Sequence, residues 1–461
     1  MSEISLGELL AIIMVLAAFA TLLLGFPVAY TLGGVAVGFA LVASFFDAFT
    51  WPLMSSIPSR IYGILISETL IAIPLFVFMG VTLEKSRIAG ELLETMGHLF
   101  GKRPGGLGIS VIIVGTLLAA STGIVGATVV TMGLISLPTM IKAGYKKGLA
   151  AGIICSSGAL AQIIPPSTVL ILLAHQLQGS FMEASMAMGN FAATPVSTAD
   201  LFIGALLPGL LLAAGYIGIV ILFAIFRPKT CPPVKLSEHE YSLLFQVAKS
   251  IIPPLFLIIV VLGSIVGGFA TAAESASVGA IGALILAAAH RRLDIKTLRE
   301  ISQSTLLIST MIFVILIGAT IFSLVFRGLG GEKLAQDMLS LVPGGLTGAM
   351  LVVLGILFIL GFFLDTFEII FITTPIFAPV LFMLGADPVV VGVTMALTLQ
   401  AAYLTPPFGF AIFYLLGTTT QLPTLTIYRG VIPFIFLQIL FIIFVVFEPG
   451  VITWLPSIFG K

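Results

Sequence analysis

Ile163-Ile164-Pro165-Pro166-Ser167 and Leu404-Thr405-Pro406-Pro407-Phe408 are two proline pairs set inside long apolar runs. Proline lacks a backbone N–H and its ring clashes with the preceding helical turn. Each pair therefore interrupts a helix where hydrophobicity alone would carry it on. Working outward, Pro138 and Gly144 precede the first pair, and Pro379 and Gly385 precede the second at identical spacing. Further out stand Pro104-Gly105-Gly106-Leu107 and Pro343-Gly344-Gly345-Leu346. The same punctuation thus occurs twice, in the same order, in two halves of one chain.

Composition fixes the solvent. Hydrophobic residues make up 59% of the 461 residues and charged residues 9%, with mean hydropathy +1.23. A soluble domain of this size cannot cover such a surface with polar groups, so the chain reads as a polytopic membrane protein. The apolar runs are too long for barrel strands, which leaves an all-α bundle. The net charge of zero gives no reason to expect nucleic acid as a partner. Cys155 and Cys231 lie in different contexts, one in an apolar helix and one in a polar loop, and read as two free thiols. The first apolar stretch, near Leu9, has no basic segment before it and reads as a membrane helix rather than a signal peptide.

With about 20 apolar residues needed to cross a bilayer, helices are expected at 8–24, 27–46, 70–86, 147–175, 201–226, 249–267, 272–290, 305–326, 388–418 and 430–447. Two apolar blocks, 107–141 and 346–384, complete the set, and 50–66 and 292–304 read as interfacial segments. The stretch 227–248, with Pro228, Pro232 and Pro233, is a polar linker that divides two repeats, 1–226 and 249–461.

Basic residues set orientation. Lys85, Arg87, Lys102 and Arg103 precede the first block, and Lys142, Lys146 and Lys147 follow it. Both its ends are then cytoplasmic, which makes it an inner re-entrant hairpin with Ser121-Thr122-Gly123 near its tip. The alternative is a pair of full spans, for which both blocks are slightly short. No Lys or Arg occurs from Ala335 to Tyr428, so the second block reads as an outer hairpin and the chain as an inverted repeat. Counting crossings puts both termini in the periplasm and the linker inside. Arg327 and Lys333 then fall on the outer side, against the rule, with Glu332 and Asp337 nearby.

Each broken helix frees carbonyls that need partners at membrane depth, over Ser156 to Ile164 and Gln400 to Thr405. Carbonyl and hydroxyl oxygens are hard ligands that suit a hard cation. The candidate inner site is Ser121, Thr122, Gly123, Thr128, Ser156, Gly158, Pro165, Pro166 and Ser167, with Thr168 beside it. The candidate outer site is Asp365, Thr366, Thr398, Gln400, Thr405, Pro406 and Pro407. Each would clamp sodium between a hairpin tip and an unwound loop, giving two or more co-transported ions. The competing reading of each Ser or Thr is helix-packing glue. Among intramembrane carboxylates, Asp365 is the candidate ion ligand, Glu368 its neighbour one turn on, and Glu274 a helix N-terminal stabiliser. No GxxxxGK[ST] motif is present, so ion gradients or another subunit must supply energy. The histidines and cysteines have no spacing suited to a catalytic dyad or metal cluster, so an intramembrane enzyme is the remote alternative.

Thr122-Gly123, Gly126-Ala127-Thr128, Gly133, Pro138-Thr139-Met140, Gly144-Tyr145, Ile163 to Ser167, Gly267 to Gly279 and Leu404 to Gly409 together resemble the large membrane subunit of tripartite ATP-independent periplasmic (TRAP) transporters. The resemblance covers nearly the whole chain. It implies an elevator-type, sodium-driven importer of organic anions in a bacterial inner membrane, not an enzyme. It also implies two protein partners, a periplasmic substrate-binding protein and a small membrane subunit. On this reading the transport parts are 67–200 and 305–420, and the scaffold helices are 1–66, 201–226, 249–290 and 430–447. One departure stands out. The family tip often reads Ser-Gly-Ser-Ser, whereas this chain has Thr122-Gly123-Ile124-Val125, which points to a less polar cargo. A stand-alone sodium-coupled carboxylate carrier of the same superfamily is the alternative.

Overall fold

A computed structural model of the chain describes residues 5–86, 103–233, 243–419 and 422–459. Arg87, Lys102 and most of the polar linker lie outside them. The described chain is helical throughout. In order the helices are α1 (Leu6–Leu23), α2 (Val28–Phe45), α3 (Ile57–Leu65), α4 (Glu68–Lys85), α5 (Gly106–Thr122), α6 (Val125–Lys142), α7 (Lys147–Ala159), α8 (Thr168–Ala187) and α9 (Thr198–Phe226). The second half holds α10 (Leu243–Val266), α11 (Ala272–Ala289), α12 (Ile295–Gly328), α13 (Gly331–Ser340), α14 (Gly345–Leu360), α15 (Thr366–Met383), α16 (Pro388–Leu404), α17 (Phe410–Thr418), α18 (Thr424–Phe447) and α19 (Gly450–Phe459). Among the described residues, eight helices are long and apolar enough to span a membrane, or nine if α3 and α4, bent by 50°, form one span with the short turn before them.

The two expected blocks are helical hairpins. α5 and α6 are separated only by Gly123 and Ile124, and α14 and α15 by 361–365. Their arms of 16 to 18 residues are about 24–27 Å long, a little under the ~30 Å hydrocarbon core. The two broken helices are α7–α8 and α16–α17.

Packing shows the duplication in space. α4 packs on α11, and its counterpart α12 packs on α2. α6 packs on α17 while α15 packs on α8, and α18 packs on α7 while α9 packs on α16. Such exchanged contacts are what a two-fold relation between repeats produces. The α7–α18 crossing depends on glycine. A Cβ at Gly430 would lie 1.8 Å from Gly148 O, and one at Gly152 would lie 2.2 Å from Gly430 O. Gly148 and Gly152 form a GxxxG face that lets the two backbones touch.

Several expected boundaries are corrected. The segment 147–175 is broken before its proline pair, as expected, but its ends differ from the expected ones. α7 ends at Ala159, tightens into a 3₁₀ turn over Leu160–Gln162, and α8 then runs to Ala187. His175 is accordingly inside a helix, not near its end. The segments 292–304 and 305–326 are one 34-residue helix, α12. Asp294 caps it by accepting from Thr297 N at 2.6 Å, and no proline or glycine interrupts the first three-fifths of it. The segment 388–418 breaks after Leu404, at its proline pair as expected, while α13 and α19 are two short helices beyond those expected. Cys231 lies in the loop after α9, as expected, and is buried there. Its carbonyl accepts from Gly105 N at 2.8 Å, and Thr230 O accepts from Lys146 N at 2.8 Å. The start of the linker is thereby pinned to the base of the first hairpin, and burial raises the Cys231 thiol pKa.

Candidate functional site

Gly123 ends α5 with φ +60°, a left-handed turn that favours glycine. The turn presents its backbone to the first proline loop. A Cβ there would lie 3.1 Å from Pro166 O and 3.3 Å from Thr168 N. Gly123 O accepts from Thr168 Oγ1 at 2.8 Å. Thr122 and Thr128, six residues apart, bring their hydroxyls to 2.7 Å across the turn. Ser167 Oγ donates to Gln162 O at 2.8 Å and caps α8 through Leu170 N. Hairpin tip and proline loop therefore meet in the first repeat, and Thr122, Gly123, Thr128, Pro166 and Ser167 come together there. All five are buried, as is the rest of the first proline loop, 163–167.

At the second tip Asp365 is the N-cap of α15. Its Oδ1 accepts from Thr366 N at 2.7 Å, and its own N–H donates to Glu368 Oε2 at 3.1 Å. Tyr403 donates its hydroxyl to the same Oδ1. Gln162 Nε2 donates to Thr366 Oγ1 at 2.9 Å. The pairing of Asp365 with Glu368 is thus a capping box. Glu274 forms the same box with Thr271 at the start of α11, as its position in the sequence suggests.

The remaining sequence candidates are placed differently. Ser121 donates to Leu118 O, Ser156 to Gly152 O, Thr398 to Thr394 O and Thr405 to Ala401 O. These hydroxyls satisfy carbonyls of their own helices, as the packing reading holds. Ser156 and Gln400 lie in regular helix, because α7 continues to Ala159 and α16 to Leu404. The unwound backbone is confined to 163–167 and 405–409. Gly158 is a packing position, since a Cβ would lie 2.4 Å from Val129 Cγ2. Gln400 Nε2 reaches Tyr216 OH on α9 at 3.4 Å. Pro165-Pro166 and Pro406-Pro407 are both cis, and Pro407 O accepts from Tyr428 OH at 2.6 Å.

Gln162 and Tyr403 are residues the sequence reading did not single out. The signal was present, since each stands three residues before its proline pair. Gln162 Oε1, Gln400 Oε1 and Thr374 Oγ1 are buried and have no hydrogen-bond partner among the described residues. Such oxygens are acceptors at membrane depth with nothing to accept from. Among the described residues no three His, Cys, Asp or Glu side chains come together as a metal group.

Comparison with known proteins agrees with this architecture. The family model for the DctM component of tripartite ATP-independent periplasmic transporters matches residues 15–451. The C4-dicarboxylate TRAP transporter large permease protein DctM of Pseudomonas aeruginosa is 31% identical over 397 residues, covering 85% of this chain and 87% of that protein. The ectoine TRAP transporter large permease protein TeaC of Halomonas elongata is 28% identical over 448 residues, covering 97% and 99%. In fold, the chain is similar to the Alcanivorax borkumensis YdaH transporter, with TM-score 0.61, 14% identity and coverage of 86% and 88%. Two helical hairpins, two helices broken at Pro-Pro and a family match across nearly the whole length lead to one conclusion: the chain belongs to the DctM family, the large permease component of TRAP transporters, and is a membrane transport protein, not an enzyme.

Proposed function

We propose that this permease imports a small organic anion coupled to sodium, as one part of a three-part transporter. The observation that carries the reading is the clustering of oxygen ligands where hairpin tips meet unwound loops. Gly123 O, Thr122 Oγ1 and Thr128 Oγ1 gather at the inner tip. Asp365, Thr366 and Gln162 gather at the outer tip, where Gln162 Oε1 is still unpartnered. Oxygen-only donors of this kind suit a hard monovalent cation, and one ion at each tip would give two sodium ions per cycle. Two sodium ions with one monoanion move net charge +1, worth roughly 2.3 kcal/mol per 100 mV, or ~50-fold accumulation, before the sodium gradient is added.

In this proposal the hairpins and broken helices move as one body, in an elevator stroke, against a scaffold of α1, α2, α9, α10, α11 and α18. The division 1–226 and 249–461 is the inverted pair of repeats, with both termini periplasmic and the 227–248 linker cytoplasmic. α4 and α12 form the seam. Gly80 of α4 lets that helix sit on the inner tip, where a Cβ would lie 2.6 Å from Thr122 O. A cavity of about 900 Å³ beside α6, lined also by Lys85, Asp294 and Lys296, offers an aqueous exit on the inner side. The relatives are named for C4-dicarboxylate and ectoine transport, so a small carboxylate is the proposed cargo. A periplasmic substrate-binding protein would deliver it, and a small membrane subunit would dock on the scaffold's exposed apolar face.

The test is uptake in proteoliposomes holding the permease, its small subunit and its binding protein. An imposed inward sodium gradient should drive accumulation, and collapsing it should stop accumulation. Uptake that ignores sodium would overturn the coupling. Uptake without a binding protein would favour the stand-alone carrier.

A further inference from the structure

Arg327 stood out in the sequence as a cation on the wrong side for the positive-inside rule. Its surroundings give it a use. A cavity of about 480 Å³ opens between α8, α12 and α3, lined by Arg60, Gln176, Ser180, Glu183, Ser323 and Arg327. That volume is in the range of small-molecule sites. Arg327 Nη1 pairs with Glu183 Oε1. Arg60 is close enough to feel the charge of both. The lining therefore carries two guanidiniums and one carboxylate. Glu332 acts on Glu183 from nearby but is not part of the lining.

We propose that Arg60 and Arg327 form a carboxylate-binding subsite in this cavity, where the organic anion is first held by the permease before it reaches the hairpin tips. The cargo's identity as an organic anion rests on the functional reading above. The chemistry of the subsite rests on the residues. Arg327 Nε is buried and has no hydrogen-bond partner among the described residues, although Nη1 is engaged. A guanidinium takes a carboxylate bidentately along one edge, and a buried N–H without an acceptor is costly. One carboxylate entering the cavity would neutralise the surplus positive charge, and a turn of the partly exposed Arg327 side chain would bring the unpaired Nε–H to it. Gln176 and Ser180 add neutral polar groups along the same wall.

The cavity also lies on the path to the tips. α8 starts at Thr168, which holds Gly123, and Ser180 is 12 residues on, ~18 Å along the same helix. Pro375 of α15 lines the cavity, and the N-terminus of that helix is the outer tip. An anion bound here sits at the far end of the two helices whose near ends carry the proposed ion sites. The seam between moving and fixed helices runs through it, with α8 and α15 on one side, α3 of the 1–66 scaffold segment on the other, and α12 between them.

Arginine-selective labelling with phenylglyoxal tests the subsite on the full chain in lipid nanodiscs, read residue by residue by peptide mass spectrometry. The probe is succinate. The controls are succinamide, which has no charge, and sodium chloride at matched ionic strength. Succinate should slow labelling of Arg60 and Arg327 and leave the exposed Arg429 unchanged. Arg60→Gln should raise the succinate concentration that half-protects Arg327 by about tenfold, the worth of one charged hydrogen bond. Glu183→Gln removes the competing carboxylate and should lower it, a gain that a misfolded variant cannot give. Equal protection by chloride or succinamide, no protection at all, or both variants shifting in the same direction would overturn the subsite. Protection that persists while sodium-driven uptake fails would sink the functional reading and leave the subsite standing. Uptake without protection would sink the subsite alone.

Discussion

Gln162 of the first repeat's broken helix donates Nε2 to Thr366 Oγ1, at the tip of the second repeat's hairpin, over 2.9 Å. The bond joins residues 204 positions apart and couples the two half-sites directly. Tyr403 stands at the matching place in the second repeat, three residues before its proline pair, and donates to Asp365 at the same tip. Both broken helices thus converge on Asp365-Thr366. The matching inner pair, Ile124-Val125, has no polar side chain to receive them.

Removing the bridge tests this coupling. Gln162→Ala and Thr366→Val should each weaken sodium-driven uptake by about tenfold, the scale of a buried hydrogen bond with one partner left unsatisfied. The double variant should be little worse than either single one, because both remove the same contact. Initial uptake rates over a sodium titration measure it. Additive losses would mean that the two side chains act separately.

Asp365 is a helix cap and a candidate ion ligand, and one pair of variants separates the two roles. Asp365→Asn keeps a capping side chain, since Asn caps as well as Asp does. It removes the charge. The protein should fold normally, with the half-saturating sodium concentration raised about tenfold or more. Tyr403→Phe removes one donor to the carboxylate and should give a smaller shift. An Asp365→Asn permease with wild-type sodium dependence would exclude Asp365 as a ligand and leave only the cap.

How much of this was legible before the structure differs by element. The proline pairs and the PGGL segments marked both hairpins to within a residue or two, because a broken apolar run has few alternatives in lipid. The length of the unwound stretch was not legible. A proline removes the N–H and disturbs the turn before it, but how far the helix unwinds depends on neighbours. α16 stays regular to Leu404, whereas α7 tightens at Leu160. Ser156 and Gln400 were overcounted for that reason. Gln162 and Tyr403 share a place three residues before a proline pair, but that place does not say which tip a side chain reaches, and only the fold shows that both reach one.

The α7–α18 crossing predicts a sharp dependence on side-chain size. Gly430→Ala puts a methyl 1.8 Å from Gly148 O, which backbone cannot avoid without moving a whole helix. The expected cost is about 3 kcal/mol or more. Gly355 in α14 has nothing within 4 Å of an added Cβ, and Gly355→Ala should be neutral or slightly stabilising, as alanine is the better helix former. Thermal unfolding in detergent compares the two. Equal melting temperatures would show that the helices can slide apart freely at this contact.

The two loops after the broken helices differ in the same way as the two tips, and this yields the last prediction. Ser167 sits where the second repeat has Phe408. Ser167 fastens its loop by a hydrogen bond to Gln162 O and by capping α8. Phe408 fastens its loop by ring contacts with Phe363, at 5.7 Å, and Phe413, at 6.0 Å between centroids. Ser167→Ala frees a backbone carbonyl beside the Gln162 bridge and loses a cap worth about 1 kcal/mol. Phe408→Ala loses aromatic contacts of about 1 kcal/mol beyond the buried area, at a half-exposed position with no ion-facing oxygen. Both should lower the melting temperature by a few degrees. Only Ser167→Ala should also raise the half-saturating sodium concentration, since its loop oxygens belong to the proposed inner site. If Phe408→Ala shifted sodium dependence as strongly, the apolar loop would have to share in binding the ion, and the division between a polar first loop and an aromatic second loop would fail.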